Sequence, residues 1–222
     1  MTLTRKKNVS ADDTSMLIHR LSQEAGQRSF PRPRTIGWLV LATVLVCYAL
    51  ATLEIQLVIG GRPDLDMALG EPALYFKLAS MFCLAVAGYV SMFRSILPGR
   101  RTPSWLVWLP AILLILIRVA TDDSGQSWLG VHPLSFIYCV VAIVLASVVP
   151  LLLLLCMMRQ GAATSAASAG ARSGILIGAL GAGAYAWTCQ NDAGLFLLVW
   201  YPVAIAIVAT MGALAGQYLL RW

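Results

Sequence analysis

Residues 133–158 read PLSFIYCVVAIVLASVVPLLLLLCMM, and this stretch contains no charged residue. The hydrocarbon core of a bilayer is about 30 Å thick, and an α-helix crosses it with roughly 20 consecutive apolar residues. The whole chain has the same character, because 59% of its 222 residues are hydrophobic, 12% are charged and the mean hydropathy is +0.78. This composition is too apolar for a soluble domain and predicts an integral membrane protein.

Further stretches on both sides of 133–158 are also predicted to span the membrane. They are about 36–58, 74–97, 102–120, 173–191 and 193–220. Backbone polar groups find no water in hydrocarbon, so the spans must be helices. The predicted fold is an all-α membrane protein, with a leader at 1–35 and six transmembrane helices at 36–222. Lys77, near one end of the second span, is expected to stretch its alkyl stem toward the interface.

The distribution of basic residues predicts the orientation of the chain. Six spans place both termini on one side, and of the 16 lysines and arginines only Arg62, Lys77 and Arg118 fall on the other side. Because basic residues stay in the cytoplasm, both termini are expected to be cytoplasmic, in a bacterial inner membrane. The net charge of +6 is then a topology signal, and it does not predict a direct nucleic-acid partner.

The spans offer little chemistry. Ionisable residues are scarce in mid-span, whereas transporters and channels usually carry them there. No nucleophile, metalloprotease or phosphate-loop motif occurs, so an enzyme and a cofactor are not expected. A small multi-pass transporter or a membrane-complex subunit with an interfacial leader helix stays as the alternative function.

Small residues are frequent in the last two spans. Gly170, Gly174 and Gly178 are four residues apart, and Gly212 and Gly216 repeat this spacing. Such a face lets a neighbouring helix approach closely, either within the bundle or in a homodimer. The stretch 163–171, ATSAASAGA, is expected to be a flexible connector.

The five cysteines form neither a CxxC motif nor a Cys/His metal spacing. Cys139 lies about two turns inside the fourth span and Cys189 lies near the end of the fifth, so both are predicted in the outer half of the membrane. Two such thiols could form a disulfide or bind a soft metal. Plain packing is the alternative for each cysteine, and no metal site is certain.

The leader is expected to be retained, because its first long apolar stretch begins too late for a signal peptide. Capping groups precede a short apolar cluster, and Gly26 is a natural stop, which predicts a helix over 14–26. Leu17, Ile18 and Leu21 share part of one face. This face suits either membrane lipids or a groove on a soluble protein.

Several stretches together resemble one known family. They are LIHRL at 17–21, GRPDLDMALGEPALYFKLA at 61–79, CVVAIVLASVVPLLLLL at 139–155, GALGAGAYAWTCQND at 178–192, WYPVAIAI at 200–207 and the closing LLRW. The chain resembles the NrsF-like family of six-span membrane anti-sigma factors, which restrain extracytoplasmic-function sigma factors.

The resemblance implies a function for two parts of the chain. It implies that the leader holds a sigma factor through Leu17, Ile18 and Leu21. It also implies that Cys139 and Cys189 respond to heavy-metal or oxidative stress. His19 stands where the family usually has an acidic residue.

Overall fold

The computed structural model describes residues 14–16, 18–20, 22–23, 33–96, 105–125, 127–131, 134–159 and 165–220. All regular structure in these ranges is helical, and no strand occurs in them. This confirms the predicted all-α class. Two compact units are distinguished, residues 1–39 and residues 40–222.

From residue 33 onward, seven α-helices and one 3₁₀ turn are defined in the described ranges. They are α1 (Pro33–Val58), α2 (Leu65–Gly70), α3 (Pro72–Ile96), the 3₁₀ turn Trp105–Trp108, α4 (Leu109–Ala120), α5 (Ser135–Met158), α6 (Ala166–Ala186) and α7 (Gly194–Leu219). The predicted second span is preceded by the separate one-and-a-half-turn helix α2.

Four helices are long and apolar enough to cross a membrane. Their candidate spans are Trp38–Val58, Pro72–Ser95, Ser135–Met158 and Gly194–Leu219. At 1.5 Å per residue, their lengths of 21 to 26 residues match the hydrocarbon thickness of a bilayer. The chain is therefore a helical membrane protein.

The other two predicted spans correspond to shorter or less apolar helices. The third becomes an apolar helical stretch at Trp105–Ala120, which is short for a span. The fifth becomes α6, in which glycines and Arg172 dilute the apolar residues. The six-span topology thus stays a prediction.

The predicted boundaries of the fifth span were wrong at both ends. Residues 166–171, expected in a flexible connector, form the first turns of α6, and the helix ends at Ala186. Alanine is the strongest helix former, and the small residues here pack against α7, so the segment is helical. Residues 187–193 instead form a turn that leads into α7.

The helix α6 lies in the middle of the bundle and contacts α3, α5 and α7. Fourteen of its 21 residues are buried, which only a helix surrounded by others can achieve. The helix α1 buries a single stripe of residues. On that stripe the Cys47 thiol lies 3.6 Å from the carbonyl oxygen of Pro150 on α5.

The glycine stripes of α6 and α7 face each other. A Cβ atom placed on Gly174 would lie 2.5 Å from the carbonyl oxygen of Val208, and one on Gly216 would lie 2.6 Å from that of Ala166. These distances are below any ordinary contact, so the two backbones touch directly. Packing within the bundle is thereby confirmed, and the stripe is not free to form a homodimer.

Candidate functional site

The described part of the leader is helical at 14–16, 18–20 and 22–23. Of the three predicted anchors Ile18 is described, and its side chain is 61% exposed. The other two predicted anchors, Leu17 and Leu21, lie outside the described residues. The Ser22 hydroxyl donates to the carbonyl oxygen of His19 at 2.8 Å, a bond typical of a helical turn.

The structure brings Cys139 and Cys189 together. Cys139 is the fifth residue of α5 and is fully buried, while Cys189 lies 3% exposed in the turn after α6. The two side chains lie near each other, and both thiols are free. The two therefore share one end of the bundle.

A network of charged and amide side chains lies beside Cys189. Its members come from every loop at that end of the bundle and from the adjoining turns of α3 and α4. They are Arg62, Asp64, Lys77, Arg118, Asp122, Asn191 and Asp192, and we refer to them as the polar cap.

Two cations of the polar cap share the carboxylate of Asp192. Arg62 Nη2 donates to Asp192 Oδ2 at 2.7 Å, and Lys77 Nζ lies 2.7 Å from Oδ1. The contact between Lys77 and Oδ1 is an ion pair only, since Oδ1 accepts no hydrogen bond. A half-buried carboxylate flanked in this way is compensated in charge.

The hydrogen bonds that Lys77 donates are accepted by backbone carbonyl groups in the turn 187–193. Its Nζ donates to Asn191 O at 2.8 Å and to Cys189 O at 3.3 Å. Arg62 Nη1 donates to the same Cys189 carbonyl oxygen at 3.1 Å. One carbonyl, that of the cysteine, is thus held by two cations.

The expectation that Lys77 reaches out to the interface was wrong. The residue is 1% exposed and points into the protein beneath the turn 187–193. A buried ammonium group needs several acceptors, and this turn offers two carbonyls and a carboxylate. Backbone acceptors of a distant turn leave no pattern in the sequence.

Arg118 fixes the other side of the turn. Its Nη2 atom donates to Asp192 O at 2.6 Å and lies 3.2 Å from Asp122 Oδ1. The Asp122 carboxylate also accepts the N–H of Gly194, the first residue of α7. A carboxylate is favourable at that position because the N-terminus of a helix carries partial positive charge.

The acids of the polar cap are ionised at neutral pH. Burial alone would raise the pKa of Asp192, but the charges of Lys77 and Arg62 outweigh this effect and the pKa lies below its ordinary value. In Asp122, hydrogen bonds from Ser124 and Gly194 likewise outweigh burial and lower the pKa. Three cations therefore face three carboxylates, which neutralises the polar cap.

Two tyrosines lie beside the cysteine pair. Tyr185 and Tyr201 are both close enough to interact electrostatically with Cys139 and Cys189, and Tyr201 is fully buried. The Tyr201 hydroxyl forms no hydrogen bond within the described part of the chain. Across the same ranges, no three histidine, cysteine, aspartate or glutamate side chains group as a metal site. Only two thiols would thus be available to a soft metal here.

Sequence reasoning found the cysteines but not the polar cap. The sequence did contain one signal for it. Among the lysines and arginines, only Arg62, Lys77 and Arg118 are predicted on one side of the membrane. The structure places all three at the same end of the bundle, as the predicted topology requires.

Comparison with known proteins settles the family. A profile described as "Negative regulator of sigma F" matches residues 25–222, which is most of the chain. The chain belongs to the NrsF family. The NrsF profile covers the polar cap and both cysteines, but it begins after Leu17, Ile18 and Leu21.

Two relatives are similar to this NrsF protein over nearly the full length. The anti-sigma-F factor NrsF of Caulobacter vibrioides is 29% identical over 220 residues. The probable anti-sigma-F factor NrsF of Azospira oryzae is 27% identical over 223 residues. Each alignment covers 94% of this chain and 99% of the relative. No solved structure matches.

Proposed function

We propose that this NrsF protein is an anti-sigma factor that holds an extracytoplasmic-function sigma factor at the inner membrane and releases it under heavy-metal or oxidative stress. The observation that carries the proposal is the full-length similarity to two proteins named as anti-sigma-F factors. The role is regulatory, and no catalysis or cofactor is part of it.

The leader binds the sigma factor. Alone in water a helix of about three turns is marginal, so it gains its order from a partner surface. Leu17, Ile18 and Leu21 insert into an apolar groove of the sigma factor, in the way amphipathic helices commonly bind. The exposure of Ile18 is consistent with such a contact. The tethered sigma factor is kept from RNA polymerase, so the NrsF protein itself needs no contact with nucleic acid.

The orientation follows from the charges. Both termini lie in the cytoplasm, where the sigma factor is, and the polar cap with its cysteines faces the periplasmic side. The inducing chemistry thus acts on the other side of the membrane from the leader.

Cys139 and Cys189 form the sensor. In oxidative stress each thiol loses its proton, the sulfur–sulfur bond forms, and two electrons pass to the oxidant, such as dichromate. In metal stress a soft cation such as cadmium displaces the two protons and binds both sulfurs. Either reaction moves the turn that carries Cys189 relative to α5.

Deletion of residues 1–30 tests the function. We expect genes under the control of the sigma factor to be expressed without any inducer, because the anchors are gone while the membrane bundle remains. RNA profiling of the deletion strain measures this. Unchanged transcript levels would instead favour a transporter or membrane-complex subunit, whose leader only lies on the lipid surface.

Replacing the cysteines tests the sensor separately. In Cys139→Ser and Cys189→Ser proteins we expect the sigma factor to stay bound in the presence of cadmium or dichromate, since neither a disulfide nor a thiolate–metal bond can form. Cys156→Ser is the matched control, because Cys156 is exposed on the same helix as Cys139. If the first two variants still release the sigma factor at the wild-type dose, these cysteines only pack.

A further inference from the structure

We propose that Lys77 and Arg62 are positioning residues of the cysteine sensor: together they hold the carbonyl of Cys189, and with it the turn 187–193, in the conformation that keeps the sigma factor bound. This inference rests on the proposed function and adds to it the device that fixes the resting state. Nothing in the similarity to the two relatives assigns a role to either residue.

The geometry shows more than charge neutralisation. Arg62 already has a bidentate partner in Asp64, with Nε–Oδ1 at 2.8 Å and Nη2–Oδ2 at 2.9 Å. It nevertheless extends Nη1 to the Cys189 carbonyl at 3.1 Å. Bidentate pairs of this kind fix the plane of a guanidinium group, so Asp64 orients Arg62 toward the turn.

The same is true of Lys77. One carboxylate would be enough to balance the charge of a buried ammonium group. Lys77 nevertheless donates both of its hydrogen bonds to main-chain oxygens, those of Cys189 and Asn191. Main-chain bonds of this type hold a backbone conformation whatever the side chains are. The backbone from which the Cys189 thiol extends is therefore held by these two cations.

The two cations also connect the sensor to the rest of the chain. Lys77 is on α3, which packs on α6, and Arg62 follows closely after the end of α1. The leader immediately precedes α1 in the sequence. A reaction that pulls Cys189 toward Cys139 would break the carbonyl bonds and release both α1 and α3 from the turn.

The test uses full-length protein in membranes of cells that contain its sigma factor. In Lys77→Met, which keeps the length of the side chain without its charge, we expect sigma-dependent transcription without inducer to rise about fivefold or more, within the usual range of coupling between sites. Labelling of Cys189 by a membrane-impermeant maleimide should also become faster, because the turn is no longer held.

Arg62→Gln should give the same two changes. It replaces Lys77→Met in the experiment if the Lys77→Met protein does not accumulate in the membrane. Asp66→Asn is the matched control, because Asp66 is exposed on α2 and is not part of the polar cap. It removes an acidic side chain near Arg62 in the sequence but leaves both donors to the Cys189 carbonyl and the Asp64 pair in place, so labelling and basal transcription should stay at the wild-type level.

Wild-type labelling rates together with wild-type transcription without inducer, in both folded variants, would overturn the proposal. Labelling rates separate it from the proposed function, because they do not depend on a sigma factor. Faster labelling supports the positioning role even if deleting the leader proves to leave transcription unchanged.

Discussion

Replacing Gly174 with leucine is expected to prevent α6 and α7 from packing and to unfold the centre of the bundle. The first side-chain atom alone would lie 2.5 Å from the carbonyl oxygen of Val208 and 2.6 Å from the Cα atom of Ala209. Both are backbone atoms of α7 and cannot turn away as a side chain would. Overpacking usually costs about 1–3 kcal/mol, and here we expect about 3 kcal/mol or more because the helices themselves must separate.

The measurement is thermal unfolding of the purified protein in detergent, together with its level in the membrane. Gly183→Ala is the matched control on the same helix. Its Cβ atom would lie 3.7 Å from that of Met81, an ordinary contact, and alanine favours helix over glycine by about 1 kcal/mol. This variant should be as stable as wild type or slightly more stable. Equal unfolding temperatures for the Gly174→Leu and wild-type proteins would show that the two helices do not touch there.

The helices that could be predicted from sequence are those whose ends are marked by charge or by proline. The predicted span 133–158 and the observed helix Ser135–Met158 agree closely, because His132 and Pro133 precede the apolar run and Arg159 ends it. Apolar length is a local property, so it needs no knowledge of the remaining chain.

The start of α6 could not be predicted in this way. Residues 163–171 are alanine, serine, threonine and glycine, a composition shared by flexible linkers and by tightly packed helices. What decides between the two is the partner. In this protein Gly170 lies directly against Gly212 and Gly216 of α7, and a contact over some forty residues leaves no local signal.

Of the candidate site, the sequence predicted only the residues whose side chains have distinctive chemistry, namely the two cysteines. The two cysteines were placed at one end of the bundle because helix polarity fixes that end. Lys77 was misplaced, since its partners are mainly the carbonyl oxygens of Cys189 and Asn191, and every residue has such an oxygen. The bond pattern of the polar cap therefore depends on how the turn 187–193 folds back on α3.

The second large effect is expected in the leader, from Leu17→Asp combined with Leu21→Asp. Losing one buried leucine anchor costs about 2 kcal/mol or more, which is over tenfold in affinity, and an aspartate in an apolar groove adds the cost of a buried charge. The two residues are four apart on one face, so the double variant should lose nearly all of its bound sigma factor. Co-purification of the sigma factor from membranes measures this directly.

Gln23→Asp is the matched control for the leader. It adds one negative charge to the same predicted helix, but at 100° per residue it lies on the side away from Leu17 and Leu21. If the Gln23→Asp protein binds the sigma factor normally and the double variant does not, the contact lies on the apolar face. If the double variant retains the sigma factor at the wild-type level, the leader is not the binding element, and the partner must instead contact another cytoplasmic segment.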